Sequence, residues 1–100
     1  MVEEKSYDAL SIVASINKSI EKSNSSDYYV GITNDLMRRL DEHNVKPRDC
    51  VAILKAKDIS EARIAERVLT AVSGFKGDSG GGKDGSIYVY CYRITDSTVQ

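Results

Sequence analysis

Cysteine is scarce in this 100-residue sequence, and its placement excludes two classes at once. Cys50 and Cys91 are the only two. A small secreted domain ordinarily carries more, at staple-like spacings, so both are read as reduced and structural. No Cys-x-x-Cys pair and no His/Cys cluster occurs, which argues against a zinc site. Long apolar runs are missing too. None approaches the roughly 20 residues that a membrane span needs. The opening "MVEEKSYDAL" is acidic and has no signal-peptide core, so the expected location is the cytoplasm, with no membrane partner. Finally, no sign of charge dominates. Fourteen Lys and Arg face fifteen Asp and Glu, a net charge of −1. The chain as a whole has no nucleic-acid footprint, so any grip on phosphate must come from local clustering.

What is present is an ordinary globular composition, 41% apolar and 29% charged. One hundred residues fit one domain, which at this size buries roughly 60–70% of its unfolded surface. Leu10, Val13, Ile16 and Ile20 recur at helical spacing, with Ala9, Ile12 and Asn17 nearby, and predict a helix over 5–22. "KSNSSD" then stops it. "YYVGIT" is β-branched and aromatic, the signature of a strand. Alternation sets Tyr29, Gly31 and Thr33 on one face and Tyr28, Val30 and Ile32 on the other. A helix follows to about Asn44, with Thr33 or Asn34 able to cap it and Asp35 suited to its positive end. Pro47 discourages continuation.

"CVAILKA", 50–56, is a second strand whose near-continuous apolar character predicts burial on both faces. "DISE" offers a capping box, Asp58 with Glu61, for a helix over about 59–73. Its expected inner stripe is Ala62, Ala65, Leu69 and Val72, with Val68 alongside and Gly74 as C-cap. A glycine-rich loop over 74–86 leads to "IYVYCYRI", 87–94, the strongest strand signal in the chain. Residues 95–100 read as a frayed tail. The order is α-β-α-β-α-β with no internal repeat: a single α+β domain, a small three-stranded, mainly antiparallel sheet packed with three helices.

Two motifs in the glycine-rich loop lead nowhere. "GDSGG", 77–81, resembles a serine-protease nucleophile segment, but that fold needs two β-barrels and a longer chain. Gly77, Gly82 and Lys83 fit the spacing of a phosphate-binding P-loop, yet Asp84 stands where Ser or Thr must ligand magnesium. The flanking order is also reversed, helix before and strand after. The loop reads as a connector, or as a substrate-contacting loop whose backbone amides can approach an anion.

"DYYVGITNDLMRRLDEHN", 27–44, is more informative. Asp35, Arg39 and His43 recur every four residues and share a helix face, while Leu36 and Leu40 point elsewhere. If the preceding strand packs across that helix, Tyr29, Arg39 and His43 converge. This pattern resembles the GIY-YIG nuclease family. "YVG", Tyr29-Val30-Gly31, is similar to the family's Tyr-Ile/Val-Gly strand, and "DLMRRLDEH" to its Asn/Asp-Leu-x-x-Arg-Leu-x-x-His helix. "SEARIAERVL" is similar to the later helix, on which a glutamate holds the divalent metal; Glu66 is the best match. The resemblance covers about residues 28–70. No GIY strand lies upstream of "YVG", and the family's late asparagine has no clear counterpart.

The missing strand can come from the other end. "GSIYVYCYR", 85–93, has the Ile-Tyr character of a GIY strand and is expected beside "YYVGIT", as in a circular permutation. Tyr88, Tyr90 or Tyr92, which share a face, then supplies the second tyrosine; Tyr88 and Tyr90 are the candidates carried forward. The resemblance implies a nuclease hydrolysing phosphodiester bonds of DNA or RNA. Glu66 would hold Mg²⁺ or Mn²⁺, which keeps most of its waters on one carboxylate. Arg39 suits a non-bridging phosphate oxygen. Tyr29 and a tyrosine of the last strand would orient or deprotonate the attacking water, with His43 assisting. Gly31, Arg38 and Lys83 are candidate substrate contacts. Two other readings stand beside this one. The first is a catalytically decayed module that binds nucleic acid or protein, using a basic patch of Lys46, Arg48, Lys55 and Arg38. The second is an interaction protein whose strand 87–94 is an exposed, partner-pairing edge.

Overall fold

The computed structural model describes residues 6–20, 23–77 and 87–98. The first helix, α1, spans Ala9–Ser19, with the Asp8 carboxylate accepting the Ser11 amide at 2.9 Å. Its start and end are shorter than the predicted 5–22, because Asp8 closes the first turn from outside. Ala9, Ile12, Ile16 and Ile20 are buried, whereas Leu10 is 81% exposed. Leu10 sits roughly a quarter-turn round from Ala9, so a stripe centred on Ala9, Ile16 and Ile20 turns it to solvent.

The last helix, α3, spans Ile59–Ala71 and is capped by Asp58, whose carboxylate accepts the Glu61 amide at 2.9 Å. The reciprocal half of the predicted capping box is diverted. Glu61 Oε1 accepts the Ala9 amide at 2.9 Å, so a side chain of α3 caps an orphan donor of α1. Ala62, Ala65 and Leu69 are wholly buried. Val72, expected on the inner stripe, is 79% exposed, because it is already the C-cap residue. Gly74 then takes a left-handed turn, φ 85°, which brings the Phe75 amide back to the Leu69 carbonyl at 3.0 Å.

Between these helices come β1, Tyr28–Thr33; α2, Leu36–Glu42; and β2, Cys50–Lys55, with β3, Tyr88–Arg93, closing the sequence. The sheet order is β1-β3-β2, antiparallel throughout. The C-terminal strand therefore pairs with "YYVGIT" as expected, and does so from the centre of the sheet. That placement overturns the reading of 87–94 as an exposed edge, since β3 is hydrogen-bonded on both sides. The outer strands are covered as well. The Val30 amide donates to the Lys76 carbonyl and the Lys76 amide to the Tyr28 carbonyl, at 2.8 and 2.9 Å. Tyr7 does the same for β2, donating to the Lys55 carbonyl and accepting from the Lys57 amide.

The alternation read from the sequence holds in β1 and β3. Tyr28, Val30, Ile32, Val89 and Cys91 join the core beneath α1 and α3, while Tyr29, Tyr90 and Tyr92 form a second cluster. Strand β2 departs from expectation. It is an edge strand, half-buried, with Ile53 48% exposed and a register shift between Cys50 and Ala52. Its continuous apolar run reflects this bulge, which breaks the two-residue period, rather than burial on both faces. The expected frayed tail is instead a turn through Thr98, tied down by Asn44 Nδ2 donating to the Ser97 carbonyl at 2.8 Å.

The two apolar stripes make opposite predictions for two leucines. Leu69→Ala should cost about 2–5 kcal/mol in chemical denaturation, the range for a truncated core leucine. Leu10→Ala should stay within about 0.5 kcal/mol of the parent.

Candidate functional site

The tyrosine face of the sheet is roofed by α2. Thr33 Oγ1 accepts the Asp35 amide at 3.0 Å, and the Asp35 carboxylate accepts the Arg38 amide at 3.2 Å. Asp35, rather than Thr33 or Asn34, is the N-cap. The chain thus turns from strand to helix within two residues. Leu36, Leu40, Val45 and Ile94 pack onto Tyr29, Tyr90 and Tyr92. With the helix anchored this way, Arg39 and His43, one turn apart, both reach the tyrosines.

His43 is buried and caps the C-terminal end of α2. Its Nε2 lies 3.1 Å from Tyr90 Oη and its Nδ1 3.1 Å from Tyr92 Oη. The ring of Tyr29 lies 4.9 Å from the imidazole and 5.1 Å from the Tyr92 ring, on which it stacks. Arg39 donates to Glu42 Oε1 at 3.1 Å and lies near enough to Tyr90 for its charge to act on the phenol. Its side chain remains about one-third exposed (34%), the outermost member of the group. Glu66 projects from α3, which packs against β1. It is 5% exposed, and its charge acts on Tyr90.

Gly31 has a steric role here. It pairs with Tyr90 across the sheet, and a Cβ built on it would overlap Tyr90 Oη and Cζ. The phenol lies flat across the glycine, a position open only where no side chain stands. Gly31, expected at a substrate, is therefore buried beneath the Tyr90 ring.

Burial pushes the Tyr90 phenol up to about 12, with Arg39 opposing the rise and the charges of Tyr29 and Glu66 adding to it. Tyr92 is raised further, again by burial first and then by its tyrosine neighbours. For Arg39, burial disfavours the charge, but Tyr90 and Glu42 outweigh it and the guanidinium titrates above its ordinary value. The Tyr90 and Tyr92 phenols are thus protonated at neutral pH and are not bases.

The structure brings Tyr29, Arg39, His43 and Tyr90 together, with Glu66 close enough for its charge to act on Tyr90. It adds Tyr92, which the sequence left among three alternatives on one strand face. Tyr88 is half-buried at the start of β3, opposite Thr33 and Lys55, and lies outside the Tyr29–Tyr90–Tyr92 cluster. Alternation cannot separate these three tyrosines; the register does, by setting Tyr90 against Gly31 and Tyr92 against Tyr29. Arg38 is exposed and faces Asp35 at 3.9 Å, away from the cluster. Lys83 lies outside the described residues.

Two outcomes follow from this packing. Gly31→Ala should cost about 1–3 kcal/mol by overpacking. That cost should largely vanish in a Tyr90→Ala background, giving a clear coupling energy in a double-mutant cycle. The second concerns pH. The unfolded chain releases the Tyr90 proton near the ordinary value of 10.0, whereas the fold holds it to about 12. Stability is therefore full below about pH 10 and falls as the pH rises towards 12, because the unfolded state then binds fewer protons. Denaturant midpoints measured across that window should fall, and less steeply in Tyr90→Phe.

Comparison with known proteins is consistent with the geometry. The family model described as the GIY-YIG catalytic domain matches residues 19–77. No curated protein and no solved structure gives a significant match. The matched segment carries β1, α2, β2 and α3, which hold Tyr29, Arg39, His43 and Glu66. Spanning more than half of the chain, it establishes that this protein belongs to the GIY-YIG family, a family of nuclease type.

Proposed function

We propose that this domain hydrolyses phosphodiester bonds of DNA or RNA with the aid of one Mg²⁺ or Mn²⁺ ion. The observation that carries the reading is the convergence of Tyr29, Arg39, His43 and Tyr90 from β1, α2 and β3, with the buried Glu66 of α3 near enough for its charge to act on Tyr90. Among the described residues, no group of three or more His, Cys, Asp or Glu side chains forms a metal cage. Glu66 offers instead a single hard oxygen donor. That fits Mg²⁺ or Mn²⁺, which bind through one or two carboxylates and complete their shell with water and phosphate oxygens. When bound, such an ion supplies positive charge to the phosphate and acidifies water.

The remaining roles fall to the chain's own groups. Arg39 is held by Glu42 beside Tyr90, so its remaining N–H groups are oriented for a non-bridging oxygen as charge develops there. Tyr29 orients the attacking water, and the His43 imidazole, tilted beside its ring, assists in holding it. Tyr90, protonated at neutral pH, serves as a donor. Arg38, exposed next to Arg39, extends the positive surface towards a flanking phosphate.

A second reading, a module that binds nucleic acid or protein without cleaving, is favoured by one observation. Tyr90 and Tyr92 are wholly buried, and Tyr29, His43 and Glu66 nearly so, which leaves Arg39 as the principal exposed group of the cluster. Cleavage assays on single- and double-stranded DNA and RNA, with Mg²⁺ or Mn²⁺, separate the two. Hydrolysis should require the ion and fall by about 100-fold or more in Glu66→Ala and in Arg39→Ala. Equal activity in the parent and both variants, or none in any, would exclude the enzyme. Binding that survives without cleavage supports the second reading.

A further inference from the structure

Four successive residues after α3 set the chain against the outer edge of β1. Gly74 turns it, with φ 85°. Phe75 then sinks into the apolar core, 3% exposed. Lys76 bridges Tyr29 in parallel, its amide donating to the Tyr28 carbonyl and its carbonyl accepting the Val30 amide. Gly77 closes the segment against α3: a Cβ built there would stand 2.6 Å from Thr70 Cγ2 and 2.8 Å from the Val30 carbonyl oxygen.

These contacts settle which way Lys76 faces. Successive residues of an extended segment point to opposite faces of a sheet. Phe75 lies among core residues and Gly77 lies against α3, so both are on the core side. Lys76, between them, is on the other side, the face that carries Tyr29, Tyr90 and Tyr92. It is exposed there, and among the described residues no ion pair engages it. Its backbone is therefore fixed at two points while its ammonium is left to solvent. In a chain of net charge −1, a grip on phosphate needs cations gathered locally. Arg39 supplies one at this face, and Lys76 supplies a second from the opposite side of Tyr29.

We propose that Lys76 is a substrate-binding residue: its ammonium takes a backbone phosphate of the nucleic acid beside the one that Arg39 takes. Phosphate as the ligand rests on the phosphodiesterase reading, whereas the orientation of Lys76 does not. Two strand spacings, roughly 10 Å, separate the Lys76 segment from β3, where Tyr90 stands beside Arg39. That separation suits two phosphates of one strand rather than one phosphate shared by both cations. An ammonium is a hydrated point charge that meets phosphate without demanding one geometry. The contact thus adds affinity and fixes the path of the strand, with no preference for sequence.

The test is the affinity for a short duplex and for one of its single strands, without divalent ion, between about 50 and 200 mM salt. One phosphate contact accounts for about a threefold fall in affinity across that range. Lys76→Gln should therefore show a fall about threefold smaller than the parent's, and Lys76→Arg should restore it. The substitution leaves the bridge to β1 in place, because that bridge is made by the backbone. Lys18→Gln, an exposed change on α1 in the opposite layer, should behave as the parent does. A parental salt dependence in Lys76→Gln overturns the proposal, as does an equal change in Lys18→Gln, which would mark a general effect of charge. In the cleavage assay, Lys76→Gln should raise KM severalfold with kcat unchanged. A lowered kcat at constant KM would also overturn the binding role. A parent that binds neither oligonucleotide defeats the phosphodiesterase reading, and the phosphate ligand with it. A parent that binds and cleaves, matched throughout by Lys76→Gln, defeats the assignment of Lys76 alone.

Discussion

The approach of the Tyr90 ring to Gly31 is the contact on which the rest of this domain depends. It requires β3 to lie beside β1, in the one register that sets a phenol over a residue without a side chain. A two-residue slip would lay a different tyrosine over the glycine, and a one-residue slip would exchange the faces of the strand entirely. In the observed register, Tyr90 lies over Gly31, Tyr92 lies opposite Tyr29, and a site for one imidazole opens between the phenols. Helix α2 delivers that imidazole because Asp35 caps it immediately after the strand.

This arrangement solves an energetic problem with the groups that pose it. Three tyrosines, a histidine and a glutamate are buried on or beside one sheet, and buried polar groups are costly unless bonded. His43 answers two phenols at once, and the charge of Arg39 acts on Tyr90 from the solvent side. The cluster is therefore both a packing unit and a polar network, in which moving one member disturbs the others. Its opposite face is a plain apolar core under α1 and α3. The division lets the core provide stability while the tyrosine face keeps polar groups at fixed positions.

The scaffold also protects the ends of its sheet. With β3 in the centre, the outer edges belong to β1 and β2, and short extended segments around Lys76 and Tyr7 occupy them. Glu61 links the two helices of the core layer by capping α1 from α3. These are small interactions individually, but they join segments far apart in sequence. A chain of this size has little core to spare, so such ties matter.

Local information was enough for much of this. The cap at Asp58, the left-handed turn at Gly74 just past the end of α3, the alternation of β1 and β3, and the Tyr29, Arg39, His43 spacing are consequences of residues a few positions apart, where backbone periodicity applies. Positions that depend on distant partners were not legible in the same way. Leu10 and Val72 fit a helical stripe, yet only the packing of α1 and α3 chose which stripe to bury. The diverted Glu61 carboxylate, the edge position of β2 and the pinned tail all needed partners from elsewhere in the chain. The same holds within the site. The sequence by itself determined that three tyrosines of the last strand share a face; tertiary structure alone decided that Tyr90 and Tyr92, not Tyr88, meet the histidine, because register is a relation between strands and no single strand contains it.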